Sequence, residues 1–431
     1  MQIETYGDFS KQLHIKVLPH RIPVMATIEV SHRCPLNCSH CYNNLPMNDE
    51  SARSREMTRE ELNRVLDEMA EAGVLWLLFS GGEIFARHDF LDIYTDAKKK
   101  GFLITLFTNG TLITERVADY LAQWRPFSIE ITLYGATKNT YETLTRIPGS
   151  FERCMRGIDL LLERELPLKL KTVGTTITRN EVFAMKEFAR ERGVEFKFDA
   201  MINPRTDCSS SPLSVRLSPG EVVELDVIDP ERAASWNDFA MSHLGPVSRP
   251  GEEDRVYHCG GGVNSFAIDP EGSMTICVLS HADSYNLRDG SLRQGWEWFL
   301  RRIRDKRATR ITKCTNCHLK AVCGMCPANG ELEHGDPEEP VDFLCQVAHL
   351  RAMVFGFPIH EHGDCEYCES GSGHQQLART ADDLRERRPV FDPSKAPVAL
   401  PLADIGCGTG GCDNCGVAPR AVLAAESDPI V

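Results

Sequence analysis

The residues with the clearest chemical potential are Cys34, Cys38 and Cys41, set in a C-x3-C-x2-C loop that also holds His40. Cysteine thiolates are the usual ligands of iron–sulfur clusters, and a closed [4Fe–4S] cube takes four of them. This loop offers three. The fourth iron is therefore left open to a small molecule that binds through nitrogen and oxygen. Three unrelated core cysteines would be the alternative.

Two turns downstream could line such a site. Ser80-Gly81-Gly82-Glu83 follows an apolar strand, at the end where α/β folds bind ligands. Its glycines allow close backbone approach to a ligand, and its carboxylate can accept from an amine. Thr108-Asn109-Gly110 ends the next strand. A second cysteine set comprises Cys259, Cys277, Cys314, Cys317, Cys323, Cys326 and Cys345. Its C-x2-C pairs also suit tetrahedral zinc. Gly260-Gly261-Gly262 reads either as a flexible turn or as backbone N–H groups directed at cluster sulfurs.

The loop and the glycine turn together resemble the radical S-adenosylmethionine (SAM) enzymes, and the later cysteines resemble a SPASM domain. The resemblance covers residues 25 to 350. It implies that the open iron chelates the amino and carboxylate groups of SAM. Cleavage of SAM would then give a 5′-deoxyadenosyl radical that abstracts hydrogen from a substrate. Gly81, Gly82 and Glu83 would bind the SAM amine, with Thr108 and Asn109 lining its site. Thr132 would contact the ribose, Arg146 the carboxylate (or solvent, as a surface charge), and His40 the adenine. No protein acid or base is assigned. Cys314, Cys317, Cys323 and Cys345 would hold one auxiliary [4Fe–4S] cluster, and Cys259, Cys277 and Cys326 another. The fourth ligand of the latter is Cys208 or an open site. The family pattern has three residues between the last two clustered cysteines, where this chain has two between Cys323 and Cys326. Val278 stands where sulfatase-maturing relatives carry an acidic base, which disfavours formylglycine formation.

The elements that must position these residues alternate regularly. Six βα units from Ala26 to Ala200 predict a parallel sheet with right-handed crossovers, short of the eight units of a closed barrel. Thr58 and Glu61 form a capping box ahead of the stripe Leu62, Val65, Leu66 and Met69, and Gly73 ends that helix. The fold class is α/β: a partial (βα)6 radical SAM barrel, then a small irregular cysteine-rich SPASM domain and a flexible C-terminal tail. The expected divisions are an extended lead-in at 1–24, the barrel at 25–205, a bridge at 206–255, the auxiliary domain at 256–350 and the tail at 351–431. The proline-rich bridge is expected to hold one short helix near Glu221–Leu225. Cys154, at helical spacing with Ile158, Leu161 and Leu162, reads as a buried structural thiol.

The tail carries Cys365, Cys368, Cys407, Cys412 and Cys415. Its two C-x2-C pairs could share a zinc ion, or remain unstructured thiols. The Gly406–Cys412 stretch also resembles the Gly/Cys-rich peptides that such enzymes modify.

A net charge of −14 over 431 residues argues against nucleic acid and against anionic lipid as partners. The N-terminus lacks a signal-peptide pattern and no apolar run approaches membrane-spanning length. A cytoplasmic location is expected, where paired cysteines point to metal sites rather than disulfides. The resemblance implies a maturase that modifies a peptide or protein through a C–S, C–C or related bond. It would be served by an external reductant such as flavodoxin or ferredoxin and by a separate leader-binding protein. Modification of a small molecule or tetrapyrrole is the alternative, and a non-catalytic Fe–S carrier or redox sensor a more remote one.

Overall fold

Alternation of strand and helix begins at Met25. The structure, a computed structural model, describes residues 5–243 and 255–387. Strands β1 (Met25–Glu29), β2 (Trp76–Ser80), β3 (Leu103–Thr108), β4 (Ser128–Thr132), β5 (Leu168–Val173) and β6 (Glu195–Asp199) each pair in parallel with the next. This is the expected open (βα)6 arrangement.

The two faces of the sheet differ. Ala26, Ile28, Leu77, Phe79, Ile104, Leu106, Ile129, Ile131, Leu168 and Leu170 all join the main core. They pack there with helix residues such as Leu62, Leu66, Ile93, Leu121, Ile158 and Met185. Side chains alternate across a strand, so Thr105, Phe107, Glu130, Thr132, Lys171 and Lys197 lie on the opposite, inner face.

The helix Arg59–Ala72 shows why capping signals are trustworthy. Thr58 and Glu61 form a reciprocal capping box, and Gly73 at φ 96° closes the helix. Cys154 is fully buried on the helix Ser150–Leu162, as its spacing predicts.

Four expectations need correction. Residues 1–24 are not an extended lead-in: Tyr6–Val17 is a helix, with Thr5 accepting from the Asp8 N–H at its start. It covers the strand-start end of the sheet, where Tyr6 accepts from Trp76 Nε1 at 2.6 Å and His14 stacks on Trp76. The bridge holds two full helices, Pro219–Ile228 and Pro230–His243, rather than one short one. Pro219 sits in the first helical turn, where its missing N–H costs nothing.

The auxiliary region is not separate from the sheet. Its strand β7 (Ser265–Ile268) pairs in parallel with β1. Strands β8 (Ser273–Thr275) and β9 (Tyr285–Asn286) follow antiparallel, giving the order β9-β8-β7-β1-β2-β3-β4-β5-β6. Order also persists into the expected tail: His374–Arg387 is a helix that buries Leu377, Ala381 and Leu384. Cys407, Cys412 and Cys415 lie outside the described residues. No helix among the described residues is long and apolar enough to cross a membrane.

Candidate radical-generating site

The loop from Cys34 to Cys41 leaves the C-terminal end of β1 and is tied down on every side. Arg33 pairs with Glu56 through two bonds of 2.9 and 3.0 Å, both side chains nearly buried. The Asn37 and Ser39 N–H groups donate to the Thr145 and Leu144 carbonyls, each at 3.0 Å. Just beyond β6, Arg205 reaches the Cys41 carbonyl at 3.3 Å and Asn44 Oδ1 at 2.9 Å. Glu29, the last residue of β1, is buried and accepts from Tyr42 Oη at 2.8 Å and Asn43 Nδ2 at 2.7 Å. Sequence reasoning missed Glu29 and Arg205, because a lone acid in a strand and a lone base in a loop carry no pattern.

The glycine turn packs tightly against the backbone that leads into the cysteine loop. A Cβ on Gly81 would lie 2.2 Å from the Ser31 carbonyl oxygen, and one on Gly82 would lie 2.3 Å from that of His32. Gly81 also has φ +134°, a conformation that L side chains rarely adopt. The close approach is therefore to the backbone just before Cys34. The Gly82 N–H donates to Ser31 O at 2.7 Å and the Glu83 N–H to Arg33 O at 3.0 Å.

Glu83 is likewise engaged within the protein. Its carboxylate accepts from Thr108 Oγ1 at 2.8 Å, the Asn109 N–H at 2.8 Å and the Phe85 N–H at 3.2 Å. Burial raises its pKa to about 7 against the pull of these donors. Through Glu83 the turns after β2 and β3 form one unit, and Asn109 Nδ2 donates to Cys34 Sγ at 3.4 Å.

The other expected contacts surround the same mouth. His40 packs against Tyr134 at 5.4 Å, and its Nδ1 is buried with no hydrogen-bond partner. Burial lowers its pKa to about 4, so the ring is neutral. Burial pushes the phenol of Tyr134, two residues past β4, well up, Cys38, Cys41 and Cys34 add to the rise, and Thr132 opposes it. Arg146, in left-handed conformation at φ 57°, ends the helix Lys138–Thr145 beside the loop, exposed and without a side-chain partner among the described residues. On the inner face Lys171 lies over the Phe107 ring, between Glu130 at 3.3 Å and Lys197 on the next strand. Burial, with Lys197 adding to it, lowers the Lys171 pKa to about 7.

The donor set fits an iron–sulfur centre. Burial raises the Cys34, Cys38 and Cys41 thiols, and each of Cys34 and Cys38 is raised further by neighbouring cysteines of the trio. The sulfurs thus converge in a place that is hostile to free thiolates. Iron at that point would supply the missing positive charge and hold the sulfurs deprotonated.

Neighbouring sulfurs influence one another among the later cysteines as well. Burial and then Cys277 and Cys259 raise the Cys326 thiol. Burial and then Cys317 raise Cys314 to about 11, and burial and then Cys314 raise Cys323 to about 12. Cys345 is raised by Cys365 and Cys323. Cys208 is exposed at φ 64°, its thiol donating to the Glu331 carbonyl at 3.7 Å, beside the helix that starts after Cys326. Tyr42, immediately after Cys41, packs on the same small apolar cluster of Leu279, Ala328 and Leu332 as Cys277 and Cys326.

The radical SAM superfamily model matches residues 28–189. Over 278 residues the chain is 32% identical to the PqqA peptide cyclase of Ruegeria pomeroyi, covering 64% of this chain and 74% of that protein. The chain belongs to the radical SAM superfamily. It is also 25% identical over 348 residues to the AdoMet-dependent heme synthase of Methanosarcina barkeri, covering 74% of this chain and 95% of that one. Among solved structures, Streptococcus suis SuiB superposes with a TM-score of 0.60 at 17% identity, covering 80% of this chain and 84% of SuiB. This radical SAM protein is accordingly an enzyme, with [4Fe–4S] and SAM as cofactors and a cysteine-rich auxiliary region.

Proposed function

We propose that this radical SAM enzyme modifies a side chain of a peptide or protein, with Cys34, Cys38 and Cys41 holding the cluster that binds SAM. The observation that carries this reading is the convergence of the cysteine loop, the Glu83-braced turns and Tyr134 at one mouth of the sheet. Bound there, the cluster and SAM would supply reductive cleavage of SAM and hydrogen-atom abstraction.

The chain's own residues set the stage. Asn109 directs an amide hydrogen at Cys34 sulfur, which favours the reduced cluster. Glu83 braces the turn, so that Gly81, Gly82 and its own carboxylate stand together for the SAM amine, and exposed Arg146 offers a guanidinium suited to the SAM carboxylate. Neutral His40 and Tyr134 provide flat surfaces for adenine, with Thr132 beside them for the ribose. Cys314, Cys317, Cys323 and Cys345 hold one auxiliary cluster. Cys259, Cys277 and Cys326 hold the other, with Cys208 or substrate as its fourth ligand. Tyr42 supplies a short contact between the loop and that second set. A flavodoxin- or ferredoxin-like protein delivers the electron, and a separate protein presents the peptide leader.

The resemblance to a peptide cyclase supports a peptide substrate. The near-complete coverage of a heme synthase supports the second reading, a tetrapyrrole. Anaerobic, iron-replete protein incubated with dithionite and SAM should release 5′-deoxyadenosine. Deuterium transfer into 5′-deoxyadenosine from a labelled neighbouring-gene peptide supports the first reading; transfer only from a labelled tetrapyrrole overturns it. Full iron content without any 5′-deoxyadenosine overturns both.

A further inference from the structure

We propose that His349, His362, Cys365 and Cys368 form a tetrahedral zinc site, separate from the iron–sulfur positions, that clamps the C-terminal segment onto the helix bearing Cys345. The ligand atoms of all four residues lie within 4.8 Å of one another, and all four are buried. Among the described residues, no other group of three or more His, Cys, Asp or Glu draws its ligand atoms that close. The contrast is chemically meaningful. A cube spreads its cysteines because each binds a different iron, whereas one ion needs its donors around a single point.

The separations match a single ion. Bonds of about 2.3 Å to sulfur and 2.0–2.1 Å to nitrogen at tetrahedral angles place S and N about 3.6 Å apart. Here Cys365 Sγ and Cys368 Sγ lie 3.7 and 3.8 Å from His349 Nε2. A two-sulfur, two-nitrogen donor set in this geometry selects zinc among common divalent ions.

Neighbouring groups orient the donors. His349 Nδ1 bonds to the Cys345 carbonyl at 2.8 Å, which leaves the Nε2 lone pair facing the two sulfurs. This is the outer-shell partner that metal-bound histidines usually have. His362 Nδ1 donates to the His360 carbonyl at 2.8 Å, which leaves its buried Nε2, without a hydrogen-bond partner, as the ligand atom. Successive turns, Cys365 N–H to His362 O and Cys368 N–H to Cys365 O, gather the H-x2-C-x2-C run on one side. Tyr367 and Lys313, both bonded to Asp342, fasten that run to the start of the helix Asp342–Phe355.

Cys345 is one turn before His349 on this helix, and its sulfur is 3.9 Å from Cys365. Zinc would tie the C-terminal segment to this helix and anchor the following helix, whose Arg385 donates to the Met353 carbonyl at 2.6 Å. The site does not depend on which substrate the enzyme modifies.

Full-length protein, isolated without oxygen from zinc-supplemented cells, should contain one zinc per chain in addition to its iron. The Cys365→Ser/Cys368→Ser variant should lose zinc at least ten-fold while iron content and 5′-deoxyadenosine formation stay unchanged. Loss of about four irons instead assigns the pair to a cluster and overturns the proposal, as does wild-type protein free of zinc. Should the variant not fold, zinc-edge X-ray absorption on the unaltered protein decides. A shell of two sulfurs and two nitrogens supports the site, and four sulfurs overturn it.

Discussion

Asn109 Nδ2 donates to Cys34 Sγ at 3.4 Å, so the turn after the third strand touches the first cysteine of the loop directly. Hydrogen bonds to cluster sulfur stabilise the reduced state. Asn109→Ala should therefore lower the midpoint potential of the SAM-binding cluster by roughly 50 mV, the equivalent of one ordinary hydrogen bond. Electron paramagnetic resonance during redox titration reads the shift. An unchanged potential would place that contact outside the cluster's influence.

Cys34, Cys38 and Cys41 form a unit distinct from the later cysteines. Replacing all three with Ala should remove about four irons per chain and abolish 5′-deoxyadenosine formation, while the auxiliary clusters persist. Iron analysis and product chromatography check this together. Retained SAM cleavage would sink the assignment.

Gly82 has no room for a side chain, since its Cβ would meet the His32 and Arg33 carbonyls at 2.3 and 2.8 Å. Gly82→Ala should displace the loop and cost ~3 kcal/mol, the upper end of overpacking penalties. The expected readout is lower thermal stability together with a several-fold loss of iron in the SAM-binding cluster. Gly193→Ala, in open space, should retain full iron, although its positive φ adds some strain.

Asp226 is buried between Arg232 at 2.6 Å and Arg351 at 2.8 Å. Burial alone would raise its carboxyl, but Arg351 and Arg232 together hold it below the usual range. A depressed carboxylate stabilises the fold above its unfolded pKa of about 4, and that contribution is lost as pH falls through the folded value. Asp226→Asn, leaving buried guanidinium charge unopposed, should cost ~3–5 kcal/mol at neutral pH. The deficit relative to wild type should shrink as both are acidified in denaturant titrations.

Lys171 is an amine lowered to about 7 on the inner face. Competitive acylation should show its reactivity rising with a midpoint near pH 7, well before the exposed lysines. Because the folded state disfavours its charge, Lys171 weakens the fold below about pH 7, and the penalty disappears as pH rises toward the unfolded value. Lys171→Met should therefore gain stability at pH 6 and lose that advantage at pH 10.

Much of this architecture is legible in the chain because its signals are local. Thr58 with Glu61, the stripe from Leu62 to Met69 and the spacing of Cys34, Cys38 and Cys41 each fit within a few turns. What the sequence hides is long-range or conformationally ambiguous. Ser265–Ile268 is too short to announce a strand, and its partner β1 lies more than 200 residues earlier. Pro219 and Pro230 look like breaks until seen at helix starts. The Gly81–Gly82 pair signals close approach without saying to what. His349 and His362 stand in unlike elements, so nothing in their spacing links them to Cys365 and Cys368.

The pairing of β7 with β1 bears on how electrons would travel. The cysteine loop leaves β1, while Cys259 precedes β7 and Cys277 follows it shortly. Neighbouring strands lie about 4.8 Å apart, so the offset between the two sets of thiols is fixed by a ladder of backbone hydrogen bonds rather than by a tether. Clusters held by the two sets would then keep a tunnelling distance set by the sheet. A fragment ending at residue 243 would lack that ladder, present β1 as a bare adhesive edge, and aggregate.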